Sequence, residues 1–306
     1  MLCGVPRWPL RRQWLLAQVL WLMGVLGSPA QAQTPPLLQF QAVSPSWYVL
    51  YGSDETLTES IDGRIANVAL VVKSGQALII GSGVSFQHGQ AIVQAAKKIT
   101  GKRRLSLLLT HAQAEFIMGA AAFERANIAV QMPVAARVRM QERCGVCLQN
   151  LTTRYGVKAM QGSRVLARVQ APKPFAKLQF IDHGLNSSAG MSVYDPEDDV
   201  HFLAGLYSPA RVPELQEASP LLWRQALAGV KAKHLIPGHG PLLHRLDWSY
   251  FDHLYQQVEA HLDAGGSLAE LLTLADSAAH SGWKNYPLYH RRNLSQWFLK
   301  REAESF

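Results

Sequence analysis

Four short segments hold most of the side chains able to do chemistry: "GSGVS" (81–85), "THAQAEF" (110–116), "HGLNSSAG" (183–190) and "PGHG" (237–240). Between them they carry His111, Glu115, His183, His239 and a scatter of serines. Imidazole and carboxylate can hold zinc or move protons, and hydroxyls in the same loops raise nucleophilic catalysis. The second route is the weaker. Ser82, Ser85, Ser187 and Ser188 stand in no Gly-x-Ser-x-Gly elbow, Asp182 has no evident triad geometry, and serine in a turn is ordinarily turn chemistry. The stretch "LLLTHAQAEFIMGAAAF" (107–123) therefore poses the central question: a metal site, the remains of one, or neither.

Cys144-Gly-Val-Cys147 is a separate signal. Cys3 falls within a leader sequence, so this pair is the whole thiol inventory of the mature chain. In an oxidising compartment a disulfide pinning a helical turn is the expectation. The alternative is a thiol-disulfide couple with one depressed thiol pKa at a helix start. Zinc binding by the pair alone lacks two further ligands.

The leader itself has three parts: a basic start with Arg7, Arg11 and Arg12, an apolar core from Trp14 to Leu26, and the small-x-small site Ala30-Gln31-Ala32. That apolar core is shorter than the ~20 residues that span a bilayer. Residues 1–32 read as a cleaved signal peptide, leaving no stable membrane anchor and a periplasmic or secreted protein. Arg11-Arg12 also raises twin-arginine export, but Leu10 replaces the usual Ser or Thr, which favours the general secretory route. Loss of three arginines and no acid lowers the formal charge from +8 to +5. No run of five Lys or Arg is present, so nucleic acid is excluded as a partner.

Residues 33–44, rich in Gln, Pro and Ser, read as a linker. From residue 45 the pattern is strands first: "WYVLYG", then "RIANVALVV" and "ALIIG" split at Ser74-Gly75 as a hairpin. A helix from about His88 to Ile99, a strand at 105–109, a helix near 115–125, a short strand at 128–130 and a helix from about 133 to 155 follow. The second half repeats the order, with β-rich runs "RVLARV", "KLQFID", "MSVYD" and "VHFLAG", a helix at 219–231 and the strand "HLIPG". Phe251, Leu254, Tyr255, Val258 and Leu262 then fall on one helical stripe. Two sets of strands, each followed by helices, suit an α/β (α+β) domain over residues 45–306: two packed sheets with helices outside and a helical tail from about 247.

The order of "IANVALVV…ALIIGSG", "LLLTHAQAEFIMGAAAF", "VYDPEDDVHFLAG" and "HLIPGHGP" resembles the metallo-β-lactamase superfamily over most of residues 45–245. More narrowly, "ESIDGRIANV", the Cys-x-x-Cys helix and the C-terminal "YHRRN" resemble its exported branch of quinoprotein relay system zinc metallohydrolases. The resemblance implies an αββα sandwich of mixed sheets. It also implies two zinc ions held by a His-x-His-x-Asp-His loop, a later His, a bridging Asp and a last His. Matched position by position, His111 and His239 retain the first and last histidines. Gln113, Phe116 and Asn186 stand at the other three, Glu115 replaces the loop Asp, Leu206 the bridging Asp, and Gly81 the Asp of an Asp-x-Gly turn. This is a degenerate metal site.

Amides and hydrocarbon are poor partners for zinc beside imidazole. No resident cofactor is expected, or zinc at low occupancy only. Two readings remain for the residual candidates. His111, Glu115, His239 and a shifted His183 would make an atypical mononuclear zinc hydrolase; otherwise these are hydrogen-bonded pocket histidines. The branch resemblance implies a non-hydrolytic accessory or binding role beside pyrroloquinoline-quinone-dependent dehydrogenases, with such a dehydrogenase or its cytochrome as partner. It further implies that the tail caps the pocket.

Overall fold

The computed structural model describes residues 38–185, 190–215, 219–274 and 279–304. The expected signal peptide, Asn186, Ser187 and Ser188 lie outside them. The first sheet runs in chain order: β1 (Gln41–Ala42), β2 (Trp47–Leu50), β3 (Val68–Lys73), β4 (Gln76–Ile80), β5 (Arg104–Leu108) and β6 (Ala129–Gln131). Ser74 and Gly75 both take positive φ, 51° and 75°. That backbone twist joins β3 to β4 through a two-residue turn and makes them antiparallel. Beyond β4 the pairing turns parallel, because helices cross over between the strands: α1 (Phe86–Thr100), then α2 (Ala114–Ile117) and α3 (Ala120–Arg125).

After α4 (Val134–Tyr155) and the short α5 (Val157–Met160), the second sheet is built from β7 (Gln179–Asp182), β8 (Met191–Asp195), β9 (Val200–Ala204) and β10 (His234–Pro237). Its order is β10-β9-β8-β7, with β9 and β10 parallel across α6 (Pro220–Leu227). Trp47, Leu70, Ile79 and Leu107 share one buried cluster with Val193, Phe202 and Ile236, so the inner faces of the two sheets form the core. A second cluster includes Trp223 of α6. It also takes in Tyr250 and Leu254 of α7 (Ser249–Asp263), Leu271 of α8 (Leu268–Thr273), and Leu294 and Phe298 of α9 (Tyr286–Glu304). The layers are helix, sheet, sheet, helix, as expected. Among the described residues no helix is long and apolar enough to cross a membrane.

Two polar ties join the sheets. Asp195 of β8, fully buried, accepts from Trp47 Nε1 at 2.7 Å and pairs with Lys73 Nζ at 2.6 Å. Asn67, also fully buried, donates from Nδ2 to the carbonyls of Pro237 (3.0 Å) and Gly240 (2.8 Å), and its Oδ1 accepts from Gly52 N–H. A buried amide with both ends satisfied fixes the "PGHG" loop against the start of β3.

Some elements differ from the sequence reading. "RVLARV" (164–169) forms no strand; only Leu166 in it is fully buried, so no face of the run is covered, and an isolated bridge joins Gln170 to Gln131. The single helix near 115–125 breaks at Met118-Gly119, where a side chain at Gly119 would stand 2.0 Å from the Ser82 carbonyl oxygen. The helix that begins at 220 ends at Leu227 rather than 231. Gln41-Ala42, within the segment read as linker, pairs with β2.

Candidate functional site

His111 sits just past the carboxyl end of β5, fully buried. Its Nδ1 lies 2.7 Å from Thr110 Oγ1 and its Nε2 3.0 Å from Gln113 Oε1. The Gln113 oxygen can only accept, which assigns the proton to Nε2 and makes the Thr110 hydroxyl the donor to Nδ1. Neither ring nitrogen then offers a lone pair. Burial pushes this imidazole down to about 4, against the smaller opposing pull of Glu115. Gly205 makes the approach feasible: a Cβ there would stand 2.7 Å from the His111 ring.

His239 comes from the loop after β10, buried, with Nδ1 3.0 Å from Ser208 Oγ. Its Nε2 makes only a long 3.4 Å contact with Glu115 Oε1. Burial lowers the His239 pKa, and the nearby Arg211 charge adds to that. Burial alone would raise the Glu115 carboxyl, but its contact with His239 outweighs that and holds it low. Near neutral pH the pair is a neutral imidazole facing an ionised carboxylate.

Between the two histidines stands Phe116, 2 % exposed. Its ring meets His111 edge-on at 4.1 Å between centroids and His239 at 5.5 Å. Zinc needs about four nitrogen, sulfur or carboxylate donors. The structure brings His111, Glu115 and His239 around one point, but fills that point with hydrocarbon and caps His111 with an amide. Leu206, fully buried, adds more hydrocarbon in the neighbouring cluster. Among the described residues no group of three or more His, Cys, Asp or Glu is placed to hold a metal ion. The residues present do not fit zinc.

His183 does not join the set. Its Nδ1 lies 3.0 Å from the Ala226 carbonyl, to which it donates, and its Nε2 2.7 Å from Ser192 Oγ, itself 2.8 Å from His201 Nε2. His183 and His201 instead line a separate cavity with Tyr194 and Lys231. The mononuclear set is thus corrected: strand β7 and its hydrogen bonds carry His183 elsewhere.

The expected disulfide is also corrected, since Cys144 and Cys147 are free thiols. They lie inside the regular turns of α4, not at a helix start. Residues three apart on a helix hold their Cβ atoms about 5–6 Å apart, whereas a disulfide wants about 3.5–4.5 Å. Cys144 is buried, with its Sγ 3.7 Å from the Ala112 carbonyl. Its hydrogen bond to Cys147 raises its own pKa and lowers that of Cys147 to about 7, against burial and Glu115.

A cavity of about 470 Å³ opens beside Glu115 and His239. Gln113, Leu206, Ser208, Cys147 and Trp223 line it, and Asn285, Leu288 and Tyr289 close it from the tail, so the tail does border the pocket. Lys284 N–H donates to Ala210 O (2.9 Å) and Val212 N–H to Lys284 O (2.8 Å), pinning the tail to the loop after β9. Sequence reasoning missed Asn67, Ser208 and Arg211. Asn67 alone left a trace, as a polar residue inside an apolar run.

Two mixed sheets faced by helices, with strand-end loops meeting at His111 and His239, are the metallo-β-lactamase fold. A β-lactamase domain protein from Burkholderia ambifaria superposes with a TM-score of 0.58 at 16 % identity, covering 90 % of this chain and 91 % of that one. The metallo-β-lactamase TMB-1 gives 0.54 at 14 %, covering 73 % and 99 %. A metallo-β-lactamase from Pontibacter korlensis gives 0.52 at 18 %, covering 71 % and 96 %. No protein-family model and no curated protein sequence matches the chain.

Proposed function

We propose that this chain is an exported, non-hydrolytic binding protein on the metallo-β-lactamase fold, acting as an accessory or assembly factor beside pyrroloquinoline-quinone-dependent dehydrogenases. The observation that carries the non-hydrolytic part is the Phe116 ring between His111 and His239, 4.1 and 5.5 Å from their centroids. Metal-assisted hydrolysis draws its nucleophile from metal-bound water. Here the point where a metal would sit is hydrocarbon, and the His111 nitrogen that would face it is hydrogen-bonded to Gln113. What persists is a walled cavity suited to holding a ligand. The quinoprotein association is supported by the likeness of "ESIDGRIANV" and "YHRRN" to that branch.

Elemental analysis of the purified full chain tests the first part. The expected result is less than about 0.2 equivalents of zinc, with no turnover of esters, lactams or thioesters. About one equivalent, lost on His239→Ala, would establish a mononuclear hydrolase instead. The second part is tested by deleting the gene and measuring quinoprotein dehydrogenase activity in the periplasmic fraction, which should fall.

A further inference from the structure

Among the described residues, the lining of the cavity beside Glu115 holds more guanidinium groups than carboxylates. Four arginines line it, Arg139, Arg143 and Arg154 from α4 and Arg211 from the loop after β9, against the two carboxylates Glu115 and Glu214. Glu214 is paired with Arg292 at 2.7 Å, which leaves the Glu115 carboxylate, 3.4 Å from a neutral His239, as the one lining carboxylate without a cationic partner among the described residues. Arg143, Arg154 and Arg211 have no carboxylate within ion-pair distance among the described residues. Arg154 donates to the backbone carbonyls of Thr58 and Ser60.

Arg211 is the decisive one. It is 7 % exposed, and its guanidinium spends one donor on the Glu55 carbonyl at 2.9 Å. The rest of its five-donor fork has no protein partner among the described residues. A guanidinium stays charged at any physiological pH, and burying a charge is costly. Burial pushes the Arg211 pKa down, against the more distant charges of Glu115, Asp54 and Glu59. The lining also has apolar and aromatic members: Leu57, Ile65, Leu206, Trp223, Leu288 and Tyr289.

We infer that this cavity binds a small organic anion, carboxylate- or phosphate-bearing with a flat apolar body, whose charge is received by Arg211 and Arg143 and whose body lies against Leu288 and Tyr289. Guanidinium matches the planar two-oxygen edge of either group, and about 470 Å³ is room for a small organic molecule. The inference rests on the proposal that the site binds rather than hydrolyses, and it adds the chemical class of ligand.

Isothermal titration of the full chain with three probes tests it: naphthalene dicarboxylate, naphthyl phosphate and the neutral naphthalene dicarboxamide. At least one anion should bind, about tenfold or more tighter than the diamide, and weaken on raising salt from about 50 to about 500 mM. Binding of the dicarboxylate alone, or of the phosphate alone, identifies which group the site takes. Arg143→Gln, at an exposed position that leaves packing intact, should weaken anion binding about tenfold and leave diamide binding unchanged. Arg211→Lys keeps the charge but loses the fork and should weaken it similarly. No binding, equal binding of all three probes, or indifference to both substitutions overturns the inference. Release of naphthol from naphthyl phosphate, by contrast, would overturn the non-hydrolytic proposal while leaving the anion site standing, so the two failures separate.

Discussion

The ring of Phe116 meets the imidazole of His111 edge-on, centroids 4.1 Å apart and planes inclined at 62°. The same ring meets His239 on its far side at 5.5 Å. A single aromatic side chain thus holds apart two histidines that the fold carries to one place from separate sheets.

That relationship can be reversed. Gln113→His together with Phe116→His removes the amide from His111 and the hydrocarbon from the centre, adding two nitrogen donors. The double variant should retain about one equivalent of zinc where the parent keeps less than about 0.2. Phe116→Ala alone should cost about 3–5 kcal/mol of stability as a cavity and gain no metal. Elemental analysis with urea unfolding reads both effects.

Acid should weaken the protein before its carboxylates titrate. Burial holds His111 and His201 at about 4 and His88 at about 3, all below the ordinary 6.5. These rings are neutral when folded, so the unfolded chain binds more protons as pH falls. Their contribution is fully present above 6.5 and drains away between 6.5 and about 4 for His111 and His201, and down to about 3 for His88. For His111 the loss is at most about 3 kcal/mol, at 1.36 kcal/mol per unit. His111→Gln should flatten the stability curve in that window, measured by denaturant unfolding from pH 7 to 4.

Alkylation should distinguish the two thiols. Cys147 lines the cavity and is lowered to about 7 by the hydrogen bond from Cys144. Iodoacetamide labelling of Cys147, followed by mass spectrometry, should reach its midpoint at a lower pH than an ordinary thiol, with Cys144 unlabelled until the protein unfolds. Cys144→Ala removes that hydrogen bond and should move the midpoint upward. Equal labelling of both thiols in the folded protein would contradict this arrangement.

Asp195 should be far more costly to lose than a surface carboxylate. Asp195→Ala leaves the buried Trp47 Nε1–H without its acceptor and takes from Lys73, 10 % exposed along its side chain, the nearest of its carboxylates, Glu197 at 3.0 Å remaining. A buried donor left unsatisfied costs about 1–3 kcal/mol, and the lost Lys73 contact adds to that. Glu124→Ala, which breaks the exposed pair with Arg164, should change stability by less than about 1 kcal/mol. Thermal unfolding of the two variants side by side makes the comparison.

The alternation of apolar residues in "VALVVKSGQALII" and the Ser74-Gly75 turn determined the β3–β4 hairpin, because side-chain period and turn backbone are local properties. The helix over 134–155 was legible for the same reason. "RVLARV" was misread because its strand-like spacing finds no partner edge, and a strand depends on what lies beside it. The helix near 115–125 was misjudged at Gly119, whose break is set by the distant Ser82 carbonyl.

At the site, the sequence by itself determined which donors exist: His111, Glu115 and His239 with hydrocarbon at Phe116 and Leu206. It also supplied the two thiols, but not whether they bond, which the rigid interior of α4 decided. Only the tertiary structure decided that His183 turns to Ser192 and that Asn67 anchors the loop bearing His239. It alone buried Arg211 in the cavity lining, with the Glu55 carbonyl as its hydrogen-bond partner among the described residues. Hydrogen bonds and charge compensation are made between elements brought together from both halves of the chain. They depend on distances of a few ångströms that no spacing along the sequence encodes.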